Sequence, residues 1–162
     1  MIKFIHKGDI FSLENVSSYA HGCNCAGAMG KGIALQFKNK FPEMYKEYKI
    51  LCKTGKFVPG DVFDYNYGGG HVYNLATQST WRTNAKIEFI QKSMFRMLEL
   101  ATKENVSQIA MPTIGAGLGG LVWADVKEII CDMSAIYSDI DLYVVEEYLP
   151  ALISGDEGNV AG

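Results

Sequence analysis

Twice in this chain a strand-like stretch runs into a glycine-rich loop and on into a helical pattern. That double junction restricts the fold more than any other feature. The first is Ala20-His21-Gly22-Cys23-Asn24-Cys25-Ala26-Gly27-Ala28-Met29-Gly30-Lys31-Gly32-Ile33-Ala34; the second is Pro112-Thr113-Ile114-Gly115-Ala116-Gly117-Leu118-Gly119-Gly120. Glycines let a backbone approach a ligand closely and turn with φ > 0. A helix opening directly from such a loop presents free N–H groups and a positive dipole end to an anion. Two junctions of this kind in one domain point to a phosphate-bearing ligand held from two sides.

The remaining pattern alternates strands with helices. Ile2 to Ile5, Ser18 to Cys23, Asp61 to Tyr65, His71 to Thr77, Gln108 to Met111 and Ile140 to Val145 read as strands. Ile33, Phe37 and Phe41 share a helical face that stops at Pro42, and Met44, Tyr48, Leu51 and Cys52 continue as a second helix. A long helix follows from Asn84, with Thr83 or Asn84 as its cap and Ile87, Ile90, Met94, Met97, Leu98 and Ala101 on its apolar face. The last helix carries Val122, Val126, Ile129, Ile130 and Met133, with Asp125 in its first turn. This order predicts an α/β sandwich around a largely parallel sheet. One domain over residues 1–150 is expected, with residues 151–162 as a mobile tail.

Several classes are excluded. A net charge of -3 gives no sign of a general nucleic-acid surface, although a contact with one nucleic-acid end or base stays open. No apolar run reaches the roughly 18 residues of a membrane span. Met1-Ile2-Lys3-Phe4-Ile5-His6-Lys7 turns polar too early for a signal peptide, so a cytoplasmic protein is expected, and separately a monomer. Cys23, Cys25, Cys52 and Cys131 lack metal-ligand spacing and read as reduced, mostly buried thiols. The first loop is no Walker A motif, because Cys25 stands where its first glycine belongs and Gly32 follows Lys31 in place of Ser or Thr. It also lacks Rossmann glycine spacing.

Taken together, Gly8-Asp9-Ile10, His21-Gly22-Cys23-Asn24-Cys25, Gly30-Lys31-Gly32-Ile33-Ala34 and the second glycine loop resemble the macrodomain family, in order, over about Met1 to Glu147. The resembling class contains terminal ADP-ribose protein glycohydrolase, the DNA-ADP-ribosyl glycohydrolase antitoxin and yeast ADP-ribose 1''-phosphate phosphatase. The resemblance implies a three-layer α/β/α sandwich with a mixed, mainly parallel six-stranded sheet. It implies ADP-ribose, or an ADP-ribosylated macromolecule with a nucleic-acid-linked one among the options, as partner, with no cofactor and no metal. On that pattern Asp9 accepts from the adenine amino group, and Ile10 supplies an N–H and packs near the base. Asn24 bonds the distal ribose. Gly30, Lys31, Gly32, Ile33 and Ala34 wrap the diphosphate with Thr113, Ile114, Gly115, Ala116, Gly117, Leu118 and Gly119. Thr77 and Ser79 flank them.

For chemistry, the resemblance points to hydrolysis at the 1'' carbon of ADP-ribose derivatives: removal of a macromolecule, or of phosphate. Gln78 stands where the glycohydrolases carry a lysine, and Gly119 where the human enzyme carries an aspartate. The candidates left are His21, donating a proton or orienting water, and Asn24 with Gln78 or Ser79 orienting water on the distal ribose. A non-catalytic reader of ADP-ribose is the alternative. On residue chemistry alone, Asp9 can equally be a turn residue, Asn24 a loop amide serving its own backbone, and His21 a buried strand histidine. Lys31 is expected to point to solvent, Trp81 to pack beneath its loop and Arg82 to be solvated.

Overall fold

The computed structural model describes residues 1–151, so the stretch read as a mobile tail lies, apart from Ala151, outside the described residues. Along the chain come β1 (Ile2–Gly8), β2 (Tyr19–Asn24), α1 (Gly32–Lys40), α2 (Pro42–Lys53), β3 (Val62–Asn66), β4 (His71–Gln78), α3 (Ile87–Lys103), β5 (Gln108–Pro112), α4 (Trp123–Ile136) and β6 (Asp141–Tyr148). The strands form one sheet in the order β1-β6-β5-β2-β4-β3. Only the β3–β4 pair is antiparallel; the other neighbours run parallel. This is the mixed six-stranded sheet expected.

Period-2 alternation sends each strand's residues to two different cores. Tyr73 and Leu75 of β4 join Ile109 and Met111 of β5 beneath Ile90, Met94, Met97 and Leu98 of α3 and Ile130 of α4. Val72 and Ala76 of β4 join Tyr19 and Cys23 of β2 beneath Phe37 of α1 and Met44 and Tyr48 of α2. Six consecutive residues of β4, Val72 to Thr77, are buried, as a strand covered on both faces requires. Pro42, which ends the apolar run of α1, occupies the first turn of α2, where its missing N–H leaves no bond unmade.

One boundary differs from expectation. α3 begins at Ile87, and its N-cap is Lys86, which makes no side-chain cap bond. Thr83 is drawn into the preceding loop, where its hydroxyl accepts from Thr80 N at 3.0 Å and Thr80 Oγ1 accepts from Thr83 N at 3.1 Å. Residues 84–86 are spent reaching across the sheet end: Ala85 N donates to Gly119 O (2.8 Å) and Lys86 N to Thr77 O (3.2 Å). No helix of the described residues is long and apolar enough to cross a membrane.

Candidate active site

The chain order reverses at β2, which has β5 on one side and β4 on the other. In open α/β sheets a crevice opens outside the carboxyl ends of strands at such a point. A crevice of about 370 Å³ lies there, lined by the ends of β2 and β4, loop 28–31, α1 and the second glycine loop. A register shift between Cys23 and Asn24 sets Asn24 opposite Gln78 at its floor. Gly22 keeps the floor low: a Cβ there would stand 3.1 Å from Thr77 Oγ1.

The first glycine loop ends at Lys31, which caps α1 through extended backbone (φ -140°) without a side-chain cap bond. The opening N–H groups of α1 are thus left without a side-chain partner, beside the crevice. Gly32 follows at φ +59°, a left-handed conformation that suits glycine. Its missing Cβ faces Leu118 Cδ1 at 3.9 Å, so the two glycine loops meet across the opening. Leu118 is 70 % exposed on that rim.

Asn24 is bound tightly. Its Oδ1 accepts from Ala26 N (3.0 Å), Ala28 N (3.3 Å) and the Tyr48 hydroxyl (2.9 Å), and its Nδ2 donates to Ala28 O (2.9 Å). One amide hydrogen remains for a guest. Tyr48 also donates to Asn24 O at 2.7 Å, tying the crevice loop to α2. Gln78 is committed in the same way: both Nε2 hydrogens go to carbonyls, Thr80 O at 2.9 Å and Thr83 O at 3.0 Å. Its Oε1 faces Gly119, 3.5 Å from where a Cβ would stand. Gln78 therefore shapes the 79–83 loop and offers the crevice one acceptor.

His21 is not in the crevice. It is fully buried, Nε2 lies 2.6 Å from Asn74 Oδ1, and its ring stacks on Phe37 at 4.0 Å and 8°. Burial lowers its pKa to about 4, against a smaller opposing pull from Asn74, so the ring is neutral and donates to Asn74. That geometry sets His21 between α1 and the sheet and does not bring it to the crevice, where a proton donor would have to stand. Cys23 does line the crevice, but burial pushes its thiol well up and leaves it protonated and unreactive.

Other candidates also serve the protein itself. Asp9 caps a short 3-10 turn, accepting from Phe11 N (2.9 Å), Ser12 Oγ (3.0 Å) and Ala151 N (2.9 Å). Ile10 is a core side chain, and both lie at the end of β1, outside the walled crevice. Thr77 is buried, with its hydroxyl on Cys23 O at 3.4 Å. Ser79 contributes a carbonyl that accepts from Cys25 N. Gly30, Lys31 and Ala34 line the crevice with Leu118, whereas Ile33, Thr113, Ile114, Gly115, Ala116, Gly117 and Gly119 are not among its lining residues. Lys31 is exposed yet on the crevice wall.

Trp81 reverses the expectation made for it. It is 57 % exposed, lines the crevice, and carries the Arg82 guanidinium 4.5 Å above its ring. Sequence reasoning missed Met29, a buried crevice wall, and Tyr48, the anchor of Asn24. Tyr48 sits on an apolar helical stripe, which hid its hydroxyl's role; its only signal was a polar tip on a core position.

Comparison with known proteins agrees with this architecture. The family model for the Macro domain matches residues 20–130. The DNA ADP-ribosyl glycohydrolase of Mycobacterium tuberculosis is 34% identical over 141 residues, covering 85% of this chain and 40% of that protein. Human ADP-ribose glycohydrolase OARD1 is 32% identical over 124 residues, covering 76% of this chain and 78% of that protein. The solved macrodomain of Mycobacterium tuberculosis DarG superposes with a TM-score of 0.83 at 32% identity, over 93% of this chain and 99% of that one. The chain thus spans about two fifths of the length of the first curated relatives it matches.

Proposed function

Because this chain belongs to the macrodomain family, we propose that it binds ADP-ribose in the crevice and hydrolyses the bond at its 1'' carbon, releasing a macromolecule or phosphate. The observation that carries the reading is the uncapped start of α1 facing the second glycine loop across the crevice. That pair suits a diphosphate, whose charge the helix N–H groups and Lys31 offset. The distal ribose then falls between Asn24 and Gln78 at the ends of β2 and β4.

The chemistry proceeds by water attack at C1'' as the bond to the leaving group breaks, the water's oxygen staying on C1'' and its released proton going to the departing group through solvent. Asn24 and Gln78 contribute one donor and one acceptor from fixed positions, which orient substrate and water. No covalent intermediate on Gln78 is part of the step, because an amide is no nucleophile of that kind.

A second reading has its own support. Among the described residues no carboxylate and no histidine lines the crevice, which suits a reader that holds ADP-ribose without cleaving it. Calorimetric titration with ADP-ribose, followed by product analysis on ADP-ribose 1''-phosphate, ADP-ribosylated DNA and ADP-ribosylated protein, tests both. Binding with turnover of one substrate is expected. Binding without turnover on any of them makes this a reader, and absence of binding at high micromolar ligand sinks the crevice assignment.

A further inference from the structure

Away from the crevice, one imidazole and two carboxylates converge. His71 opens β4 and Gln78 closes it, so the whole strand, about 20 Å, separates this group from the crevice floor. His71 and Tyr73 alternate onto one face of β4. Asp64 of β3 pairs with Tyr73 across the antiparallel ladder and so stands diagonal to His71. Glu104 is the C-cap of α3, and Asn105 turns the chain away at φ +58°. Three separate elements thus deliver a nitrogen and two carboxylates to one spot.

The grouping is tight and poorly balanced. Asp64 Oδ1 at 2.7 Å and Glu104 Oε2 at 3.5 Å face the same atom, His71 Nδ1, and the ligating atoms of the three side chains lie within 4.8 Å of one another. Nδ1 carries at most one hydrogen, and at 2.7 Å it serves Asp64. Glu104 Oε2 is left beyond the range of a good hydrogen bond. Among the described residues neither carboxylate pairs with a lysine or arginine. Even with an imidazolium the three groups sum to -1, and the negative end of the α3 dipole adds to it at Glu104, a place that favours cations. The side chains are also pre-set. Tyr73 donates to Glu104 Oε1 at 2.8 Å, which leaves Oε2 to His71. The imidazole lies parallel to the Tyr73 ring (5.7 Å, 8°), and His71 N donates to Ser18 Oγ at 3.1 Å.

We propose that Asp64, His71 and Glu104 bind a divalent metal ion of the zinc class through Oδ1, Nδ1 and Oε2. An imidazole with two carboxylates suits Zn²⁺, Co²⁺ or Mn²⁺, whereas Mg²⁺ and Ca²⁺ take oxygen ligands. Bonds of about 2.0–2.2 Å set ligand atoms about 3–4 Å apart, so small side-chain rotations open the Asp64–His71 pair and close the widest one. The Nδ1 proton leaves to solvent as the metal takes its lone pair. Tyr73 is then the outer partner that orients Glu104. The side chains keep between 15 % and 26 % exposure, which admits the ion and completes its coordination with water. Bound there, the metal ties the β3–β4 hairpin to the end of α3.

Calorimetric titration of the untagged, EDTA-treated chain with zinc chloride tests this, beside thermal unfolding with and without zinc. The wild type is expected to bind one zinc ion and to melt at a higher temperature in its presence, because the metal binds the folded state. His71→Ala and Glu104→Gln should each weaken binding by about a hundredfold or more, and Tyr73→Phe, which removes only the outer partner, by about tenfold. C25S/C52S, which removes the half-buried thiols, should bind as the wild type does. Melting in EDTA checks that each variant folds; Glu104→Gln and Tyr73→Phe preserve side-chain shape and carry the test if His71→Ala does not fold. No saturable zinc binding by the wild type, unchanged affinity in Glu104→Gln and Tyr73→Phe, loss of binding in C25S/C52S, or equal affinity for magnesium chloride would each overturn the proposal.

Discussion

Replacing His21 with Phe tests whether that residue is a structural pin or a catalytic acid. In the wild type the neutral ring donates to Asn74 and stacks on Phe37. A phenyl ring can keep the stack but leaves Asn74 Oδ1 without its donor, a loss of about 1–3 kcal/mol at pH 7. The pH dependence is the sharper readout. Folding depresses the pKa of His21 from its ordinary 6.5 to about 4. The unfolded chain therefore takes up a proton that the folded chain refuses. The wild type holds this contribution in full above about pH 6.5 and loses it progressively as pH falls toward 4. Between pH 7 and pH 5 the linkage relation gives a loss of about 2 kcal/mol, which His21→Phe cannot suffer. Urea unfolding of both proteins at the two pH values isolates it, since His6, His71 and the carboxylates are common to both. The gap should narrow by about 2 kcal/mol at pH 5, and turnover of the folded variant should persist. A gap equal at both pH values would refute the buried neutral ring, and a folded but inactive variant would restore His21 to the chemistry.

Gly32→Ala forces a side chain into φ +59° at the start of α1, a strain of about 1–2 kcal/mol. Relief by rotation would turn the helix N–H groups away, so ADP-ribose affinity measured by calorimetry is expected to fall about tenfold with the fold intact. Trp81→Ala removes an exposed ring, so thermal stability should change by no more than about 0.5 kcal/mol while ligand affinity drops. Gln78→Lys exchanges the two bonds to Thr80 O and Thr83 O for an amine at the crevice wall. The melting temperature should fall, each lost bond being worth about 1 kcal/mol, and chromatography of 1''-linked substrates should reveal faster cleavage. Slower cleavage would mean that the Gln78 clamp on the loop matters more than an added amine.

The fold was legible because β4 is apolar on both faces and because Ile33, Phe37, Met44 and Tyr48 keep helical spacing into a shared core. The crevice was legible from its glycines, whose positive φ at Gly32, Gly115, Gly117 and Gly120 marks the two loops. The start of α3 was not, because Thr83 and Asn84 satisfy cap preferences equally well within a loop, and only the tertiary bond from Ala85 N to Gly119 O decides where the helix begins. Side-chain roles were least legible. Asp9, His21, Asn24 and Gln78 carry the right groups for ligand chemistry, and a linear pattern cannot tell whether those groups face a guest or a neighbour.

One consequence follows from the way these polar groups are spent. Asn24 uses its oxygen three times within the protein, Gln78 uses both amide hydrogens, and His21 is sealed behind Phe37. What faces the crevice is then backbone N–H, one amide hydrogen, one amide oxygen and the Lys31 ammonium. Backbone and side-chain amides carry no proton that titrates in the neutral range, and burial holds the Cys23 thiol protonated. An enzyme built this way accelerates hydrolysis by holding diphosphate, ribose and water in place, the entropic route to catalysis, and not by proton transfer from a tuned side chain. Its kcat should therefore be flat across that range. A bell-shaped profile with a limb near pH 6 to 7 would require a titrating group in contact with the substrate, and would mean that the crevice rearranges on binding to bring one in.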